Sequence, residues 1–175
     1  MTLLIPTIAI LVALAAAVID GSSGRIPNRL TYPAMVAGLL LQGALLGWRG
    51  LLASLGGAVL FGGVFMLFYL IRGMGAGDVK LAAALGSILG PSASFQVMYA
   101  TALAGGAQAI ILMVFSRRIV EKLRNTMWVV LFLVRHGLKT HPTVNLDNPT
   151  ALRMPYGFAF AAGTLYWAVF LETWR

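Results

Sequence analysis

From Gly50 to Ile71 the chain runs without one charged side chain, and it does so again from Leu81 to Ser116. Runs of this kind constrain the fold more than anything else in the sequence. A backbone placed in hydrocarbon has to satisfy its own N–H and C=O groups, which a helix does and an open sheet does not. The expected fold class is therefore all-α, a polytopic membrane helical bundle. About six transmembrane helices account for the apolar sequence, at roughly 2–19, 31–47, 51–71, 79–90, 94–115 and 155–172. The spacers "GSSGRIPNR", "GWRG", "RGMGAG" and "GPSAS" are short and turn-like. Composition agrees: 59% of the 175 residues are hydrophobic and 10% charged, too little polar surface for a soluble domain of this length. One integral membrane domain, 1–175, is expected. Glycine pairs such as those in "GGAVLFGG" point to close helix packing.

The net charge of +8 reads as orientation within the lipid bilayer, with no nucleic acid as partner. Eleven of the thirteen Lys and Arg fall on one side if the segment after the first span is cytoplasmic, as the positive-inside rule requires. Both termini then lie outside. No basic residue precedes the first apolar run, so that run is expected to be a membrane helix and not a secretory signal. The long connection 116–154 contains a basic, amphipathic segment at about 117–139, too short in its apolar core to cross and suited to the cytoplasmic surface. There are no cysteines, and His136 and His141 have no third ligand near them. Neither a metal nor a cofactor is expected.

Of the five acids, Glu121, Asp147 and Glu172 sit in the long loop or near the C-terminus. Asp20 ends the first span and Asp78 opens the fourth, which puts both on the cytoplasmic face at similar depth. Each alone reads equally as a helix-end residue, Asp78 as an N-cap and Asp20 as the first solvated residue after a span. Together they suit acid–base chemistry, since two adjacent carboxylates share one proton and intramembrane acids are costly unless functional. Such a pair hydrolyses an amide without metal, one carboxylate taking a proton from water and the other donating one. The glycines before Asp78 are expected to let an extended substrate backbone approach. Helix dipoles favour Asp78 as the initial base and Asp20 as the initial acid.

"IDGSSGRIPNRLT", Ile19–Thr31, followed by "GMGAGDVKLAAALG", Gly73–Gly86, and "RMPYGFAFAAG", Arg153–Gly163, resembles the prepilin peptidases (type IV leader peptidases), members of the GxGD aspartyl proteases. The resemblance implies that Asp20 and Asp78 are the catalytic aspartates, with Gly75 and Gly77 the signature glycines. It implies a prokaryotic cytoplasmic (inner) membrane protein whose site faces the cytoplasm. The implied substrate is a prepilin or pseudopilin precursor, a short basic leader ahead of a hydrophobic helix. The short first loop without cysteines departs from long family members, which insert a cytoplasmic domain there and methylate the new N-terminus. A peptidase-only form similar to those serving Flp (Tad) pili is implied instead.

Other residues of these motifs read first as structural. Arg25 suits anchoring, Pro27 a rigid turn and Asn28 a helix N-cap. Lys80, at i+2 from Asp78, does not face it on a helix and leans toward headgroups or substrate. Pro155, Tyr156 and Gly157 shape the start of the last span and line the site. Competing readings are a GxGD protease of the signal-peptide-peptidase type, a small ion or proton transporter using the two Asp, and a silent pilus assembly factor. The "RIPN" segment after Asp20 argues for the prepilin group.

Overall fold

The computed structural model describes residues 3–115 and 154–171. Among them all regular structure is helical: α1 (Leu4–Ser23), α2 (Asn28–Leu70), α3 (Ala76–Phe115) and α4 (Tyr156–Tyr166), the last continued by a π-helical turn, Trp167–Leu171. Among the described residues three stretches are long and apolar enough to cross a membrane, Leu4–Ser23, Asn28–Leu70 and Ala76–Leu112. The expected amphipathic segment at 117–139, the two histidines, and Glu121, Asp147 and Glu172 lie outside the described residues.

As straight rods, the 43 residues of α2 and 40 of α3 would extend about 60 Å, twice the hydrocarbon thickness. Neither is straight. Gly47 in α2 has φ 59°, ψ −140°, and Gly90 in α3 has φ 73°, ψ 176°, a left-handed φ that favours glycine. After Gly47 the chain folds back, so that a Cβ at Gly50 would collide with the Gln42 carbonyl. After Gly90, Pro91 cannot continue the hydrogen-bond ladder, and the Ser94 hydroxyl donates across the bend to the Gly86 carbonyl at 3.4 Å. Each long helix is thus two limbs joined at a glycine. The expected spacers "GWRG" and "GPSAS" are single-glycine breaks rather than loops.

The limbs pack at backbone distance. Cβ atoms placed on Gly57 and Gly86 would each strike the other's carbonyl, so α2 and α3 cross where neither has a side chain. Buried polar groups pin the same seam: Gln42 Nε2 donates to the Ile88 carbonyl at 2.9 Å and the Ser54 hydroxyl to the Ser87 carbonyl at 2.8 Å. Interhelical bonds of this type replace the hydrophobic drive that lipid does not supply. Below the seam, Phe61, Phe65 and Phe160 form an aromatic cluster with centroids 5.1–5.7 Å apart, tying α2 to α4.

Replacing Gly57 by Val forces these backbones apart and is expected to lower stability by about 1–3 kcal/mol. Gly63→Val, where a Cβ meets nothing within 4 Å, leaves it nearly unchanged. Thermal unfolding of both variants in detergent checks this.

Candidate active site

Asp20 lies in the last turn of α1 rather than closing it: the helix runs on to Ser23 and closes on Gly24, whose φ is 64° and whose N–H donates to the Asp20 carbonyl at 2.8 Å. Its side chain is 6% exposed. Oδ2 accepts the Gly157 N–H at 2.9 Å. Gly157 is the second residue of α4, preceded by Pro155 at the cap position. It comes this close because it has no side chain; a Cβ would lie 2.9 Å from Ala17 Cα, 3.0 Å from the Ala16 carbonyl oxygen and 3.0 Å from Asp20 Cβ. The carboxylate at the negative end of α1 therefore also meets the positive end of α4. That removes the dipole argument for Asp20 as the proton-holding partner, because both aspartates now face a helix N-terminus.

Asp78 is the third residue of α3, which begins at Ala76 rather than after the aspartate. Its own N–H donates to the Gly75 carbonyl at 3.2 Å, and its Oδ2 accepts the Gly75 N–H at 3.1 Å. This is the return half of a capping box, the first-turn acid reaching back to the residue before the helix. The N-cap reading is corrected accordingly: the carboxylate caps from within the helix. Asp78 is 8% exposed. The glycines beside it serve the chain itself. A Cβ on Gly77 would sit 3.2 Å from Ile26 Cβ and from the Ile26 carbonyl oxygen, and one on Gly75 would sit 3.2 Å from Asp78 Oδ2. The turn after α1 is thereby seated on the start of α3.

Both carboxylates line one cavity of about 810 Å³, together with Arg25, Gly75, Gly77 and Tyr156. The remaining motif residues stand outside the lining. Pro27 occupies the cap position of α2 in an extended conformation and offers no side-chain cap. Asn28, expected as that cap, is the first helical residue, and its Oδ1 accepts the Lys80 ammonium at 2.8 Å. Lys80 also lies 5.4 Å from the Tyr32 ring centroid, a cation–π distance. Pro155 caps α4, and Gly157 in its first turn meets Asp20.

Several lining residues were not singled out by sequence reasoning. Ile26, Tyr69, Arg72, Met74 and Met154 belong to the cavity wall. Arg72 had counted only as a cytoplasmic charge, yet it has φ 56°, uncommon for a residue with a side chain. Ile26, buried between Arg25 and Pro27, carried a usable signal: an apolar residue in an otherwise polar turn. Among the described residues no three His, Cys, Asp or Glu stand together. Chemically, the arrangement offers two buried carboxylates, each fixed through one oxygen, facing a space large enough for an extended peptide.

Gly157→Ala should push α4 off α1 and lower stability by about 1–3 kcal/mol. Gly106→Ala, with nothing within 4 Å of the added carbon, should be neutral or stabilising by up to about 1 kcal/mol, as Ala is the better helix former. Thermal melting of the two variants separates close packing from propensity.

Residues 7–110 match the type IV leader peptidase family. A prepilin leader peptidase/N-methyltransferase of Burkholderia pseudomallei is 38% identical over 104 residues, which cover 56% of this chain and 34% of that protein. The prepilin peptidase EppA of Methanothermobacter thermautotrophicus is 41% identical over 90 residues, 47% of this chain and 22% of that protein. The chain thus aligns with only about a third of the first relative and less of the second. No solved structure matches it. The family match takes in most of α1, all of α2, most of α3 and both buried aspartates, and on that extent the chain belongs to the type IV leader peptidase family.

Proposed function

We propose that this chain is a membrane aspartic endopeptidase that removes the short basic leader of type IV prepilin-like precursors. The observation that carries the reading is the pair Asp20 and Asp78, both buried, each held by one backbone N–H, lining one cavity. An ionised carboxylate takes a proton from a water between them. The hydroxide attacks the scissile carbonyl while the protonated partner donates to its oxygen. Collapse of the tetrahedral intermediate breaks the C–N bond, and the leaving amine takes up the proton. Held in an apolar bundle and brought together around such a water, two carboxylates favour one shared proton over two charges.

The same reading assigns the limbs of α2 and α3 to separate crossings, six in all with α1 and α4. The first limb of α3, Ala76 to Leu89, rises only about 21 Å, so Asp78 lies below the membrane surface on the cytoplasmic side, as the asymmetry of Lys and Arg favours. The substrate's hydrophobic helix would lie within the bilayer with its leader junction unwound at the cavity. The α1–α2 connection, Gly24 to Pro27, has no inserted domain, which supports leader cleavage of the Flp (Tad) kind without methyl transfer.

Asp20→Asn and Asp78→Asn are each expected to slow cleavage of a prepilin-like probe in proteoliposomes by about a hundredfold or more, the scale of a lost general acid or base, with insertion and melting unchanged. Full-rate cleavage by either variant would return that aspartate to a helix-end role.

A further inference from the structure

Gln108 stands on the second limb of α3, half-buried, and its Nε2 donates to the Pro155 carbonyl at 3.1 Å. The same carbonyl accepts the Phe158 N–H at 3.4 Å, the first bond of α4. Two residues beyond Pro155 is the Gly157 N–H that binds Asp20. A side-chain amide among apolar helices has a simple explanation, since one interhelical hydrogen bond is enough to keep it there. The geometry says more than that. Farther along, α4 is seated where Gly163 packs against the Thr101 backbone. The Phe160 ring holds its middle against α2, so the first turn is the part that depends on its own ties. Gln108 holds that first turn.

The chain contains its own comparison. Gln96, on the same limb of α3, accepts the Trp167 indole N–H at 2.8 Å. Both glutamines tie α3 to the last helical segment, one at its start beside Asp20 and one beyond α4. If these bonds were only glue, the two would be equivalent.

We propose that Gln108 is a positioning residue for Asp20: by holding the Pro155 carbonyl it fixes the first turn of α4, so that the Gly157 N–H meets the carboxylate. The kinetic part of this inference rests on the peptidase reading, while the structural part stands apart from it.

The test compares full-length Gln108→Met and Gln96→Met, each of which keeps side-chain length and removes the amide. Cleavage of a prepilin-like probe in proteoliposomes should show kcat lower by about ten- to a hundredfold in Gln108→Met with KM unchanged, the scale of a slightly misplaced catalytic group. Gln96→Met should keep kcat even where it lowers the melting temperature. In glycine-labelled protein in micelles, exchange of the Gly157 amide should quicken about tenfold or more in Gln108→Met and stay near wild type in Gln96→Met, as expected of a local opening. Equal kcat in wild type and Gln108→Met, equal losses in the two variants, or a Gly157 amide equally protected in both would each overturn the proposal. Wild-type protein that cleaves no such probe would overturn the peptidase reading alone, and Gly157 exchange would still decide the role of Gln108. If Gln108→Met does not insert, Gln108→Leu serves in its place.

Discussion

A carboxylate that is 6% exposed among apolar helices has to find a donor, and Asp20 finds the Gly157 N–H, 137 residues away in sequence. Much of the architecture serves that one bond. Burying an ionised group without compensation costs several kcal/mol or shifts it to the neutral form. Compensation comes from the first turn of α4, whose unpaired N–H groups point along a positive helix end. For α4 to come near enough, its second residue has to be glycine, and α1 presents Ala16 and Ala17 beneath it. Small residues on both sides let the donor reach the acid.

The second aspartate solves the same problem locally. Asp78 takes the N–H of Gly75, three residues back, so its orientation is set within one turn. What brings the two together is the contact between Gly77 and Ile26, which seats the turn after α1 on the first turn of α3. The α2–α3 seam, with Gly57 against Gly86 and with the Gln42 and Ser54 bonds, supports that arrangement from the other end of the limbs. The site is thus bounded by three helix ends: the last turn of α1 and the first turns of α3 and α4. A fixed backbone N–H on each carboxylate restrains it while leaving its other oxygen without that tie, as the proposed proton exchange with water requires.

The helical class and the placing of Asp20 and Asp78 at one end of the bundle were legible because they depend on composition and on where charge interrupts apolar runs. Gly47 and Gly90 fell inside or beside turn-like spacers, although nothing local told a loop from a single left-handed glycine between two limbs. The glycines of "GMGAGD" were visible as places of close approach, but the sequence did not show that Ile26 and the Asp78 carboxylate are what come close to them. Asn28 looked like a cap since it follows a proline and precedes a helix, whereas the helix includes it and Lys80 takes its oxygen. The tie from α4 to Asp20 left no local trace, because hydrogen bonds between residues far apart in sequence have no periodicity to read. The same is true of Gln108, which stood in the sequence as one amide in an apolar run.

The most direct test of two carboxylates working as one site is calorimetric binding, in detergent, of a leader-junction peptide whose scissile amide is replaced by a secondary alcohol. Such a tetrahedral mimic should bind wild-type protein about a hundredfold or more tighter than the unmodified peptide, as transition-state analogues do. Most of that advantage should vanish in both the Asp20→Asn and the Asp78→Asn variant. An alcohol bound no tighter than the amide peptide, or bound equally well without either carboxylate, would contradict the account.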